Sequence, residues 1–246
     1  MKEWKKCGAG LYEEEYLECE KRWVFLLLMC VGGYFGAFTY SIRGGVFCNA
    51  QTGNLVLLAM ALGRGEWAGA LYYLPPLCAY LAGSMLSEAV ATPIKRLGLV
   101  RWDTLLVLIE AAAVAVLGFL PETAPHQIAQ VTINFLCSMQ YNTFRQAQDI
   151  PMATTFCTNH VRQVGVGLVH ALHHPEEPRW RRKVLSHLEM LAVFVAGCAA
   201  ATALSGVFLG RTIWWTLVPL GIVGGWLLYA DLKGERGRLE QVPKGH

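Results

Sequence analysis

Two stretches decide how this chain is read: GGVFCNAQTGNLVLLAMAL at residues 44–62 and IPMATTFCTNHVRQVGVGLVHAL at residues 150–172. Each opens extended and polar, rich in Asn, Gln and Thr, and closes as an apolar helical run, Leu55–Leu62 in one and Val164–Leu172 in the other. Around them lie apolar runs at 22–42, 67–90, 102–120, 184–208 and 212–231, and a weaker one at 125–144 interrupted by Asn134, Gln140 and Asn142. A bilayer-crossing helix needs about 20 mostly apolar residues, so these six runs predict spans. The composition agrees, with 54% apolar and 16% charged residues in a chain of 246 against roughly 45–50% and about 25% in soluble domains. Mean hydropathy is +0.36. These values exclude a disordered chain, a secreted disulfide scaffold and an ordinary soluble enzyme. A net charge of +3, with the basic residues beside apolar runs, gives no reason to expect a nucleic-acid partner. The expected fold class is an all-α polytopic membrane protein whose main partner is the lipid bilayer.

The two anomalous stretches sit at corresponding places in two halves. Tyr40-Ser41-Ile42-Arg43 precedes the first and Tyr141-Asn142-Thr143-Phe144-Arg145 the second; Ala82-Gly83 and Ala196-Gly197 fall in later helices. The expected organisation is a segment at 1–22, membrane repeats at 23–121 and 122–231, and a tail at 232–246. Polar interruptions at matching positions of two halves point to a transporter-like binding site. Lys and Arg favour the cytoplasmic side of span ends. Eight full crossings place 14 basic residues inside and 6 outside; six crossings with both stretches re-entrant or broken place 17 inside and 3 outside. The second arrangement is favoured and makes the repeats inverted. Both put the two termini in the cytoplasm.

Non-helical backbone at membrane depth needs protein or a wet cavity to satisfy it. If helices begin near Thr52 and Thr158 with those residues as caps, their free amides and positive dipole ends converge on the midplane. Asn49, Gln51, Gly53 and Asn54 from the first repeat, and Gln140, Asn142, Asn159, His160 and Arg162 from the second, complete a candidate site for a small polar or anionic solute. The alternative is that these side chains only cap helices and hold the bundle together.

Glu110 falls mid-span, where a charge is costly, and is the candidate for proton coupling, with His160 as a second; pairing of Glu110 with Arg162 would offset both penalties. Arg43 and Arg145 occupy matching places and are candidate entrance residues, although arginines at helix ends commonly snorkel. His170, His173 and His174 share one helical face, but no fixed fourth ligand follows, so no metal is assigned. The eight cysteines lack a CxxC pair, and no cofactor is expected. Pro75-Pro76 should kink the 67–90 helix, and Gly32, Gly33 and Gly36 allow close helix approach. Nucleophile, zinc-protease and P-loop patterns are missing, so the chain is not expected to be an enzyme.

The motifs at 44–62 and 138–163, SMQYNTFRQAQDIPMATTFCTNHVRQ in the second case, resemble the YoaK-type family of uncharacterised bacterial membrane proteins over roughly Trp23 to Tyr229. The resemblance implies a multi-pass inner-membrane protein, transporter-like or linked to small-molecule resistance, with no substrate, cofactor or catalytic residue to carry over. The reading is a secondary transporter, exporter or channel with its site at the repeat interface; the alternative is a non-transporting scaffold or sensor. Oligomeric state, a homodimer included, stays open.

Overall fold

The computed structural model describes residues 16–97 and 100–243, without the side chains of 91–97. Expectations for residues 1–15 and 244–246, and for the charges of Lys95 and Arg96, lie outside the described residues. Nine α-helices are described: α1 (Arg22–Ser41), α2 (Gln51–Gly63), α3 (Trp67–Tyr72), α4 (Leu74–Leu97), α5 (Trp102–Leu117), α6 (His126–Thr143), α7 (Thr158–His173), α8 (Pro178–Phe208) and α9 (Leu217–Tyr229). A 3-10 segment, Leu209–Thr216, joins α8 to α9. Arg22–Ser41 and the helical run Pro178–Gly234 are long and apolar enough to cross a membrane.

The fold is helical, with one addition. Gln146–Ala147 (β1) and Ile150–Pro151 (β2) pair antiparallel as a two-residue ribbon. Gln148 and Asp149 between them both have positive φ, 46° and 66°, as a two-residue hairpin turn demands. The expected helix at 67–90 is divided instead of kinked. α3 ends at Tyr72 and α4 starts at Leu74, which places Pro75 and Pro76 in the first turn of α4, where a missing amide costs no helical bond.

Contacts define two ends of the bundle. At one, Glu18 donates its amide to Glu235 Oε1 (2.9 Å) and Arg101 its amide to Asp231 Oδ2 (2.9 Å), and Gln148 bonds the Glu20 carbonyl (3.1 Å). The two terminal segments therefore meet. At the other end Arg43, Leu120, Pro121, Glu122 and Gly210 come together. Helices α1, α4, α5, α6, α8 and α9 run between these ends. The segments around α2 and α7 do not. From Arg43 the chain turns inward until Asn49 donates to the Gly32 carbonyl (3.0 Å), halfway along α1. It then returns through α2 and α3 until Tyr72 meets Gln130, which also donates to the Arg43 carbonyl. From Arg145 the chain turns inward past Thr154, whose carbonyl lies against Gly32. It returns through α7 to the start of α8, where Arg182 reaches Gln148 (3.4 Å).

Packing exchanges partners between the halves. α1 lies chiefly against α8 and α4 against α6; α5 lies on α9, α7 on α8, and α2 on α3. Small residues make the close crossings. Gly197 of α8 sits against the Cys30 carbonyl of α1, Gly33 of α1 against the Phe194 carbonyl of α8, and Gly83 of α4 against the Phe135 carbonyl of α6. Phe25, Leu28, Phe35, Leu106, Ile133, Met190 and Leu220 fill the core. The outer faces are also apolar: Val116, Phe119, Leu172 and Val207 are 70–79% exposed.

Candidate functional site

Asn54 builds the first half of the site. Buried in the first turn of α2, it accepts the Phe47 amide on Oδ1 (2.9 Å) and donates Nδ2 to the Phe47 carbonyl (2.7 Å). This folds residues 47–50 back on the helix, which starts at Gln51 with Ala50 as its cap residue, ahead of the expected Thr52. Gly53 leaves room for the Phe47 ring, from which a Cβ would lie only 3.0 Å away. Gln51 donates to Asn134 Oδ1 of α6 (2.7 Å). The second half has the same plan. α7 starts at Thr158 with Cys157 as cap residue, and buried His160 sets Nε2 against the Ala153 carbonyl (2.8 Å). Neither cap residue, Ala50 or Cys157, makes a side-chain hydrogen bond to its helix start, and the Gly53 and Asn54 amides turn back to the Ala50 carbonyl (2.9 and 3.3 Å).

Both helix starts open on one cleft of about 580 Å³. Asn49, Gln51, Thr52 and Thr158 supply its polar lining, and the rings of Phe47, Tyr80, Phe156 and Phe194 much of the rest. A second cleft, of about 530 Å³, is lined by Asn142, Arg145, Ala153 and Asn159 and shares Phe156 with the first. Arg145 donates to the Asn142 carbonyl (2.7 Å) and approaches Glu88 (3.3 Å). Arg162, exposed, donates to Asn159 Oδ1 (3.1 Å).

The remaining sequence candidates lie elsewhere. Gln140 is buried behind the clefts, donating to the Leu28 and Thr154 carbonyls (3.4 Å each). Glu110 is fully buried in α5, and neither carboxylate oxygen has a hydrogen-bond partner among the described residues. The expected Glu110–Arg162 pair is therefore not formed: Arg162 stands on the exposed face of α7. Arg43 is not at an entrance. Its guanidinium is wholly buried, donating to the Leu120 carbonyl (3.2 Å) and lying 3.8 Å from Glu122. The chain reversal after α5 supplies carbonyls that hold it in.

His174, Glu176 and Glu177 bring one ligand atom each within 4.8 Å of one another. Glu177 already accepts from Arg179 (2.5 Å) and the Trp180 indole (3.1 Å), and His170 stacks on Trp180 at 4.1 Å. These contacts order the α7–α8 turn. Beyond the helices, burial pushes the Glu235 carboxyl above its usual range, partly opposed by the Glu18 amide and Arg101.

Sequence reasoning missed the aromatic lining and His187. A signal for part of the lining was present: Tyr80 stands two residues before Ala82-Gly83, and Phe194 two before Ala196-Gly197.

Residues 24–226 match the model of a family described as a protein of unknown function (DUF1275). Curated proteins and solved structures give no match. The match covers both inward-turning segments and every residue that lines the two clefts, and the chain belongs to this DUF1275 family.

Proposed function

We propose that the chain is a multi-pass inner-membrane carrier, with six crossing helices and two re-entrant segments, that moves a small polar or anionic solute through the cleft between its repeats. One observation carries this reading: the first turns of α2 and α7, reached from opposite ends of the bundle, line the same cleft. Helix starts meeting at mid-depth present amides and positive dipole ends to a ligand. The exchanged packing of α1 on α8 and α4 on α6 supports an inverted repeat. Outward-facing Val116, Phe119 and Val207 suit contact with lipid. The end where both terminal segments meet also carries Arg179–Lys183, which favours the cytoplasm there. The four rings in the lining refine the ligand to one with an apolar part beside its polar or anionic group. Rocking of one repeat against the other supplies alternating access, driven by an ion gradient or by the solute gradient itself.

The scaffold reading has support of its own, because Asn49, Gln51 and Asn54 spend hydrogen bonds on the protein itself. Thiol labelling separates the two. Cysteines placed singly at Thr52 and Thr158, in a chain free of other cysteines, should react with a small water-soluble reagent in membranes. Some member of a panel of carboxylates and polar solutes should block both. No labelling in protein that elutes as a folded species would overturn the carrier reading and favour the scaffold.

A further inference from the structure

The two half-sites share a clamp and differ in its chemistry. In the first, Asn54 holds the backbone of the residue seven positions earlier, Phe47; in the second, His160 holds the carbonyl of the residue seven positions earlier, Ala153. An asparagine side chain does not titrate, whereas a histidine does. His160 also has a second ring nitrogen. Its Nδ1 lies 2.8 Å from Nδ1 of His187 on α8, and both rings are buried.

The hydrogens follow by elimination. A carbonyl only accepts, so His160 Nε2 carries a hydrogen and donates to Ala153. In a neutral ring Nδ1 is then an acceptor, and His187 Nδ1 must donate to it. That leaves His187 Nε2 as a bare lone pair, buried and without a partner among the described residues. Of the four ring nitrogens in the pair, this one alone can take up a proton without breaking a hydrogen bond. A second proton would have to go to His160 Nδ1, and two N–H groups would then face each other.

We propose that the His160–His187 pair is a proton-binding site that controls the second re-entrant segment. This rests on the carrier reading above. The first proton binds at His187 Nε2 and places a cation in a buried site. The groups acting on the rings give it little compensation: Lys183, one turn earlier on α8, is a like charge, and the Ala153 carbonyl is already used. Arg22 of α1 and Glu189, two residues after His187 on α8, are paired with each other. In this proposal water reaches the cation when the 152–157 segment, held to the pair through the Ala153 carbonyl, moves off it, which opens the cleft beside Phe156 and Cys157. The first half-site, held by Asn54, has no such response.

The native Cys157 reports the movement. In the full chain with all other cysteines replaced, its reaction with a water-soluble maleimide is followed in membrane vesicles from about pH 8 to about pH 5. The wild-type rate is divided at each pH by that of His187→Gln, which keeps a side-chain donor for His160 Nδ1 and removes the proton acceptor. Thiol ionisation cancels in this ratio. The ratio should rise as pH falls, by up to about tenfold per pH unit for one coupled proton. His187→Asn, which also lacks the proton acceptor, should behave as His187→Gln does and replaces it if that variant elutes as unfolded. A flat ratio overturns the proposal. Solute protection of a thiol at Thr52, measured at fixed pH, keeps the two readings apart. Protection with a flat ratio rejects the proton site alone, and a rising ratio without protection rejects the carrier.

Discussion

Replacing Gly197 by alanine tests the central crossing of the bundle. A Cβ on Gly197 would fall against the Cys30 carbonyl of α1 and 3.0 Å from the Tyr34 amide nitrogen. Both neighbours are backbone inside a helix, so they yield only if α1 and α8 separate. Overpacking of this kind costs about 1–3 kcal/mol, while alanine in a helix returns about 0.5–1 kcal/mol relative to glycine. The rigidity of the obstruction favours the upper part of the range, leaving a net loss of about 2 kcal/mol. For a chain of this size that lowers Tm by roughly 4–8 °C. Gly83→Ala, against the Phe135 carbonyl of α6, should behave alike, because it is the matching crossing. Gly221→Ala on α9 is the control: nothing lies within 4 Å of its Cβ position, so the helix gain stands alone and Tm should rise by about 1–4 °C. Thermal unfolding in detergent, followed by tryptophan fluorescence, reads all three. A Gly197→Ala protein within a degree of wild type would refute the close crossing, and equal losses at Gly221 would show that the assay does not report packing.

Three further outcomes are expected. Glu110→Leu should stabilise the protein by about 1–3 kcal/mol, since two buried oxygens without partners are removed; a lower Tm would reveal a partner for the carboxyl. Asn54→Ala should destabilise by about 1–3 kcal/mol, because the amide and carbonyl of Phe47 both lose their partner. Unchanged stability with lost solute protection would instead return Asn54 to the binding site. Glu235 has a carboxyl pKa raised by burial, so its contribution is complete below the unfolded value of about 4.3 and is lost as pH rises through the folded value. Glu235→Gln should therefore gain stability relative to wild type between about pH 4 and about pH 7, and a gain on acidification would contradict the assignment.

The sequence made the helical plan and the inward-turning segments legible because hydrophobic length and polar interruption are local properties. Asn49, Gln51, Thr52 and Thr158 reach one cleft for that reason: each stands at the polar start of an apolar helix. The places where reading failed are long-range. Arg43 and Arg145 look alike along the chain, yet Arg43 is enclosed by carbonyls of residues 120 and 121 that follow α5. His187 stands near the basic start of α8 with no local mark of importance, and its role appears only when α7 lays His160 against it. Tyr80 and Phe194 read as ordinary span residues until the exchanged packing turns both toward the cleft. Glu110 and Arg162 each invited a partner by cost alone, and cost does not specify direction around a helix.

The unequal fates of Arg43 and Arg145 bear on how such a carrier would move. In an inverted repeat that alternates access, each half adopts in turn the environment of the other. Here Arg145 lies half-exposed beside a cleft that shares Phe156 with the central one, while Arg43 is sealed against Leu120, Pro121 and Glu122. For the proposed carrier this arrangement corresponds to a state closed at the Arg43 end and most nearly open at the Arg145 end. The opposite state requires Arg43 to leave its carbonyls, and the Glu122 carboxylate, which also accepts the Gly210 amide (2.7 Å), is the latch joining the turn after α1, the α5–α6 turn and the 3-10 segment that follows α8. Glu122→Gln keeps the acceptor for Gly210 and removes the ionic attraction. It should therefore raise thiol labelling from the Arg43 end and leave labelling from the Arg145 end unchanged. Equal changes at both ends would mean that the two halves open together, as in a channel, and would end the argument for exchange.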